Sequence, residues 1–180
     1  PGDRLLAVNG APIHDYIAYR FAIADEEVEL TLAHQDTVEV VGIEKDADDD
    51  LGLIFASDVF DGVRACRNRC VFCFEEQMPA GMRSSLRLRD DDFRLSFLHG
   101  NFLTLTNLSD DDFRRIAREH LSPLFVSIHA TDPEIRRAML QNDRAPDVLT
   151  QLRRLGDDGI EVHGQIVLCP GWNDGAVLAR

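Results

Sequence analysis

The chain has 180 residues and carries 32 acidic against 19 basic side chains, a formal net charge of −13 at pH 7. A charge this negative argues against a general nucleic-acid binder, because phosphate backbones are bound through clustered lysine and arginine. No apolar run approaches the roughly 18 residues of a membrane span and no basic-then-apolar leader is present, so we expect a cytoplasmic protein without a membrane contact.

The negative charge is concentrated in the first third of the chain. Residues 1–62 carry 15 acidic and 3 basic side chains, whereas residues 63–180 carry 17 and 16. This break in composition predicts two modules, residues 1–43 and residues 63–180, separated by an acidic linker and connecting segment at 44–62. The chain opens at Pro1 and closes at Arg180 within a predicted helix start, so we expect an excerpt from a longer protein.

The first module is predicted to be a strand, a helix and a hairpin. A short strand at Arg4–Val8 ends at Asn9-Gly10, apolar residues at helical spacing follow, and an alternating pattern continues on both sides of a Gln35-Asp36 turn. The predicted helix face consists of Ile13, Tyr16, Ile17, Phe21 and Ala24, and the inward strand residues are Val28, Leu30, Leu32, Val38 and Val40.

The second module is predicted to contain four strand–helix units, which implies a parallel α/β barrel or open sheet. Its strands are predicted at Gly62–Ala65, Arg94–His99, Leu124–Ile128 and Ile160–Leu168. Its helices are predicted after Ser109, after Thr131-Asp132-Pro133-Glu134, through Val148–Leu155 with an end at Gly159, and after Cys169–Asp174. The chemistry of such folds lies at the carboxyl ends of the strands, where we expect Cys66, Gly100, His129 and Cys169.

Three of the four cysteines lie within Cys66–Cys73, spaced C-x3-C-x2-C. Zinc sites favour paired C-x2-C motifs and bacterial ferredoxins use C-x2-C-x2-C, so neither spacing fits. Three thiolates can hold an iron–sulfur cubane and leave one iron open for another molecule. We expect Arg67 and Arg69 to favour the thiolate form. The alternatives are three buried structural cysteines or a degraded zinc site.

This spacing, with the aromatic Phe72 before the last cysteine, resembles the signature of the radical SAM superfamily. The resemblance implies that Cys66, Cys70 and Cys73 bind a [4Fe–4S] cluster, that S-adenosylmethionine chelates the open iron, and that Phe72 flanks its adenine. It further implies an external low-potential electron donor, reductive cleavage to a 5′-deoxyadenosyl radical, and hydrogen abstraction from a substrate that remains unknown.

From residue 63 onward the sequence is similar to the first four strand–helix units of a partial (β/α) radical SAM barrel. Many members carry Gly-Gly-Glu after the second strand, where this chain has Gly100-Asn101-Phe102. By the same resemblance, Ser127 and His129 on the third strand face the cofactor, and Gln165 on the fourth contacts its ribose.

The stretch Pro1–Ile13 resembles the second half of a bacterial PDZ domain, which implies a partial PDZ-like α+β module with a protein partner. PDZ domains add a peptide strand to a sheet edge and capture its terminal carboxylate, and the segments that do so would lie upstream of Pro1. Together with Cys-Val-Phe-Cys-Phe, Gln77-Met78-Pro79 and the stretch Asp90–Leu108, it resembles a bacterial family that combines both domains and has no established substrate.

Several side chains allow two interpretations. Cys169 is a hydrogen donor, an auxiliary ligand or a small buried hydrophobe; Arg83 binds a substrate anion or pairs at the surface. His99 and His129 are proton carriers or core residues, the aspartates at 90–92 hold a cation or form a solvated turn, and Trp172 is expected to pack. For the whole protein, the second class of function is a non-catalytic iron–sulfur or zinc module coupled to a PDZ-like domain.

Overall fold

The computed structural model describes residues 2–179, apart from the side chains of Ser84 and Ser85. Pro1 and Arg180, where the predicted first turn begins and the predicted last helix breaks off, lie outside the described residues. The chain divides into two compact units, one up to Val63 and one from Arg64. Among the described residues, no helix is long and apolar enough to cross a membrane.

The first unit is a four-stranded antiparallel sheet with one helix, as the strand, helix and hairpin patterns predicted. The strand order is β2-β1-β3-β4. Asn9 and Gly10, both with positive φ, make the tight turn between β1 and β2. The elements are β1 (Arg4–Val8), β2 (Ala11–Pro12), α1 (Tyr16–Ala22), β3 (Glu27–His34) and β4 (Thr37–Glu44).

The core of the first unit differs in part from the predicted faces. Tyr19, which the predicted helix face omits, is fully buried, whereas Phe21 is 56% exposed. Asp15 caps α1 by accepting from the Ala18 amide. The face that packs in the core carries Tyr16, Tyr19 and Ile23, spaced three and four residues apart, and Phe21 lies outside it. On β4, Val38 and Val40 alternate as predicted but face solvent.

The segment at 44–62, predicted as an acidic linker, packs against the first core. Leu51, Leu53, Phe55 and Phe60 contact the buried residues of that core. Asp48, Asp49 and Asp50 are exposed, as expected for a solvated acidic run, and Asp50 pairs with Arg20 at 2.5 Å at the surface.

The second unit is mixed α/β, and its predicted helices after Ser109, after Asp132 and through Val148–Leu155 are confirmed. Ser109 and Asp112 form a capping box at the start of α3, and Asp132 caps α4 with Pro133 in the first turn. The elements are α2 (Phe93–His99), α3 (Asp110–Glu119), β5 (Leu124–Ser127), α4 (Pro133–Leu140), α5 (Val148–Asp157) and β6 (Val162–Gln165), with a short 3-10 helix at Ser84–Arg87 before them.

The strand predicted at Arg94–His99 is wrong, because this stretch is the helix α2. Asp92 caps its start by accepting from the Arg94 amide, and Gly100, with a φ of 75°, ends it in the left-handed conformation. The apolar run alone could not distinguish a short buried helix from a strand. Gly100 is therefore a helix cap and does not lie at the end of a strand.

The parallel sheet is shorter than predicted. β5 and β6 pair in parallel, and Leu103 adds a parallel bridge to Val126 on the other side of β5. At Gly62–Ala65 there is only an isolated bridge from Ala65 to Asp90, and the predicted fourth strand is confined to β6. The described residues after Cys169 form turns instead of a helix. A closed or partial barrel stays a prediction.

Candidate metal centre

Backbone hydrogen bonds fix the loop that carries the three clustered cysteines. The Cys66 amide donates to the Arg89 carbonyl at 2.8 Å. The Arg69 and Val71 amides donate to the carbonyls of Leu140 and Met139, at 3.0 and 2.9 Å. These are carbonyls of the last turn of α4, which have no partner within their own helix. The loop is thus attached to the carboxyl end of α4 through its main chain.

All four cysteines of the chain are free and half-buried. Burial raises the pKa of the Cys66 thiol. Burial, with the nearby Cys66 and Cys73 thiols adding to it, raises the pKa of Cys70 to about 12. The expectation that Arg67 and Arg69 favour thiolates is therefore wrong for these two residues. Both arginines are exposed, and the positive charge that acts on Cys66 and Cys70 is that of Arg89.

Asn68, inside the cysteine motif, is 1% exposed, and both polar atoms of its side chain have hydrogen-bond partners. Its Nδ2 lies 3.6 Å from the Cys66 sulfur, 2.9 Å from Thr104 Oγ1 and 3.0 Å from Thr106 Oγ1. Its Oδ1 accepts from Asn142 Nδ2 at 2.7 Å. One amide side chain therefore joins the cysteine loop, the segment after α2 and the segment after α4.

The aspartates at 90–92 do not form a solvated turn, because two of the three are buried. Asp91 is 1% exposed and accepts from the Thr104 amide at 2.5 Å and from Thr104 Oγ1 at 2.8 Å. Burial raises the pKa of Asp91 more than these hydrogen bonds lower it. The carboxylate is held inside the protein because partners distant in sequence supply its hydrogen bonds.

Asp92 is also buried, but it has a charged partner. The Arg94 guanidinium donates to both carboxylate oxygens of Asp92, at 2.9 and 2.7 Å, and the side chains are 1% and 0% exposed. Burial opposes ionisation, but the bonds from Arg94 and from the Arg64 amide outweigh it and lower the pKa of Asp92. Asp92 is therefore neither a cation ligand nor part of a solvated turn.

Arg136 on α4 is a second buried cation, 1% exposed. Its guanidinium donates to the carbonyls of Thr104, Ile128 and Ser127, at 2.7, 3.0 and 3.3 Å. Burial lowers the pKa of Arg136 to about 10, with Asp91 acting in the opposite direction. The Arg136 side chain therefore links Ser127 and Ile128, at the end of β5, to Thr104, whose side chain is hydrogen-bonded to Asn68.

The rings of Phe72 and His129 lie together, with centroids 4.4 Å apart. His129 is 4% exposed, and its Nδ1 accepts from the Val167 amide at 3.2 Å. Burial, aided by the Arg136 charge, lowers the pKa of His129 to about 4. At neutral pH the imidazole is uncharged, which matches its role as an acceptor.

The other predicted cofactor residues fall into two places. Ser127 and Gln165 are the last residues of β5 and β6, and the Gln165 carbonyl accepts from the Ile128 amide at 2.9 Å. They therefore share the carboxyl edge of the parallel pair with His129. Asn101 donates to Asp90 at 3.3 Å and follows Gly100 at the end of α2.

The remaining candidates show no common site. The Cys169 amide donates to Asn173 Oδ1 at 2.7 Å, and its thiol lies half-buried beyond β6. Arg83 and His99 are exposed, so His99 is not a core residue. Trp172 is 44% exposed, so its predicted packing is partial.

Within residues 2–179, no three histidine, cysteine or acidic side chains are grouped so as to hold a single metal ion. A cubane makes a different demand, because each cysteine binds a different iron and the sulfurs need not converge on one point. Three free thiols on one short loop, close enough for Cys66 and Cys73 to act on Cys70, are a donor set that fits such a cluster.

A mixed α/β unit with a cysteine loop beside the carboxyl edge of parallel strands defines the class of fold. A family model for the radical SAM-like domain matches residues 45–180. This is more than half of the chain, so the chain belongs to the radical SAM-like domain family. The match begins upstream of residue 63, where the composition placed the start of the second module. No curated protein and no solved structure matches the chain significantly.

Sequence reasoning missed Asn68, Arg89 and Arg136 as parts of the site, and it named Asp91 only as a cation ligand or part of a solvated turn. Asn68 had one available signal, since it lies between two of the motif cysteines. The other three lie outside the motif in sequence, and polar residues are normally assigned to the surface.

Proposed function

We propose that the protein is a radical SAM enzyme in which Cys66, Cys70 and Cys73 hold a [4Fe–4S] cluster. The observation that carries the proposal is the loop itself: three free thiols whose main chain is fixed to the end of α4 by the Arg69 and Val71 amides. The family match supports the same function. When bound and reduced, such a cluster supplies the electron for reductive cleavage of S-adenosylmethionine, which starts radical chemistry on a substrate.

In this proposal the protein's own residues bind the cofactor and orient it. Phe72 extends from the cysteine loop onto the neutral His129 ring and provides an apolar surface suited to an adenine. Ser127 and Gln165 offer polar groups at the same edge of the sheet. Arg89 places positive charge beside thiols that become thiolates when a metal binds them. Gly100 and Asn101 are the weaker candidates, because they follow a helix.

Anaerobic reconstitution tests the proposal, with the fourth cysteine as a matched control. Wild type and Cys169→Ser should each bind about four irons and release 5′-deoxyadenosine when reduced with S-adenosylmethionine. Cys66→Ser should lose both properties. Equal iron content in Cys66→Ser and Cys169→Ser would refute the assignment, and stoichiometric zinc without iron would instead favour the non-catalytic module.

We further propose that the first unit is a PDZ-like module that meets a protein partner. Its support is the sequence resemblance together with the antiparallel sheet and the single helix between β2 and β3. In isotope-labelled protein that carries the complete PDZ-like domain, peptides ending in a free apolar carboxyl residue should cause shifts confined to that domain. Shifts that are absent, or spread over both units, would contradict a PDZ-like mode of binding.

A further inference from the structure

We propose that Asn68 is a positioning residue that sets the reduction potential of the cluster through its hydrogen bond to the Cys66 sulfur. The inference rests on the proposed function, since it concerns the cluster that Cys66 is proposed to hold. Asn68 contacts neither a substrate nor a cofactor atom in this proposal and acts only through Cys66.

Asn68 donates to the Cys66 sulfur through both its main chain and its side chain, and only the side-chain bond depends on the residue type. Asn68 Nδ2 is 3.6 Å from the Cys66 sulfur, a normal separation for a donor to so large an atom. The side chain is 1% exposed, so water does not compete for the bond. In a water-excluded site a hydrogen bond is electrostatically stronger than in water.

Neighbouring side chains hold the amide in that orientation. Thr104 and Thr106 lie within 2.9 and 3.0 Å of Nδ2, and Asn142 donates to Oδ1 at 2.7 Å. Because Asn142 Nδ2 can only donate, the Asn68 atom that it faces must be the oxygen. This assigns the Nδ2 of Asn68 to the side of the sulfur, so its contact with Cys66 is that of a donor. Its two hydrogens face three acceptors, so one hydrogen is shared between the Cys66 sulfur and a threonine oxygen.

The expected effect has a definite sign. Reduction adds an electron to a cluster that the thiolates already make negative, and part of that charge resides on the ligand sulfurs. A donor to a ligand sulfur stabilises the reduced state more than the oxidised state and raises the potential. Loss of the Asn68 donor should therefore shift the midpoint potential to a more negative value.

Two variants and one control test this. Asn68→Ala and Asn68→Leu both remove the donor, but leucine keeps the side-chain volume, so Asn68→Leu decides the matter if the alanine variant does not fold. Asn142→Ala removes a partner of the same amide without touching a sulfur. None of the three substitutions removes the Arg89 hydrogen bond, because Arg89 donates to the main-chain carbonyl of Asn68. The readouts are iron content and a potentiometric titration followed by visible absorbance or EPR.

We expect iron content like that of wild type in every variant and a more negative midpoint in both Asn68 variants. Asn142→Ala keeps the donor but removes one of the groups that orient it, so its midpoint should shift less than that of Asn68→Leu. An unchanged midpoint in Asn68→Leu, or a larger shift in Asn142→Ala than in Asn68→Leu, would overturn the inference while leaving the proposed function intact. Wild-type protein that binds no iron would overturn both.

Discussion

The interior of the first unit is apolar except for the α1 cap Asp15 and the Tyr19 hydroxyl, which has no hydrogen-bond partner among the described residues. The second unit buries a set of charged and polar side chains near the cysteine loop and the sheet edge. These are Asn68, Asp91, Asp92, Arg94, Ser96, Thr104, Asp112, Ser127, His129, Arg136 and Asn173.

The difference shows what each unit needs from its sequence. Buried polar groups cost free energy unless they are paired, and a fully paired network fixes one arrangement. The first unit can form from alternating apolar residues, whereas the second needs particular partners at particular places. These buried polar groups lie beside the cysteine loop. The free-energy cost of burying them is thus incurred where the proposed function requires a loop in one fixed position.

Removing the charge of Asp92 is the most direct test of whether the second unit depends on its buried polar pairs, and none of the other substitutions is expected to have a larger effect. In Asp92→Asn the buried Arg94 guanidinium loses the carboxylate that accepts two of its hydrogen bonds, and we expect the free energy of unfolding of the second unit to fall by about 3 kcal/mol. The chain has one tryptophan, Trp172, so its fluorescence during urea unfolding follows the second unit.

Asp111→Asn is the matched surface control, because Asp111 is 87% exposed and pairs with Arg114. Its loss should stay below about 1 kcal/mol. Equal losses in the two variants would mean that the buried pair adds no more than a surface pair.

An apolar truncation should damage the first unit instead. Leu30 is 3% exposed in the first core, and Leu30→Ala should cost about 3 kcal/mol through lost burial and a residual cavity. The loss, followed by far-UV circular dichroism, should be the same at neutral and mildly acid pH, since no ionisable group is removed. A strongly pH-dependent loss would contradict the apolar description of this core.

His129 should make the second unit sensitive to acid. Its pKa of about 4 in the folded protein lies below the ordinary histidine value of 6.5, so the unfolded chain binds the proton first as pH falls. The stability from the neutral ring is complete above pH 6.5 and decreases towards pH 4. We expect a loss of about 2 kcal/mol between pH 7 and about pH 5, measured by Trp172 fluorescence.

His129→Asn should remove that part of the slope, because asparagine tolerates the positive φ of 64° at this position and does not titrate. His163→Asn is the control, since the His163 side chain is 50% exposed. The same slope in wild type and His129→Asn would show that other groups cause the acid sensitivity.

The smallest effect is expected on the open side of β4. Val38 is 64% exposed, so Val38→Thr should change the free energy of unfolding by less than about 0.5 kcal/mol. A loss comparable to that of Leu30→Ala would show that Val38 is covered in solution.

Local patterns predicted the parts of the fold that neighbouring residues determine. The strand Arg4–Val8, the hairpin around Gln35-Asp36 and the caps Ser109 and Asp132 are all present. One exception is α2, where the apolar run suggested a strand although the cap Asp92 and the terminating Gly100 were both visible in the sequence. Those two residues outweigh the apolar run because they satisfy the free backbone groups at the helix ends.

The site was predictable only as far as its motif. The three cysteines lie close together in sequence, whereas Asn68 forms hydrogen bonds with Thr104, 36 positions away, and with Asn142, 74 positions away. No local pattern encodes such contacts, and an isolated Asn or Asp is by default a surface residue. The burial of Asp91 and Asp92 was missed for the same reason.

The attachment of the cysteine loop to α4 uses peptide groups at Arg69 and Val71 and no side chain of either residue. Arg67 and Arg69 point to solvent, so their identity is free to change while the spacing of the thiols is preserved. The charge on this surface can thus be changed without altering the main-chain bonds that hold the loop.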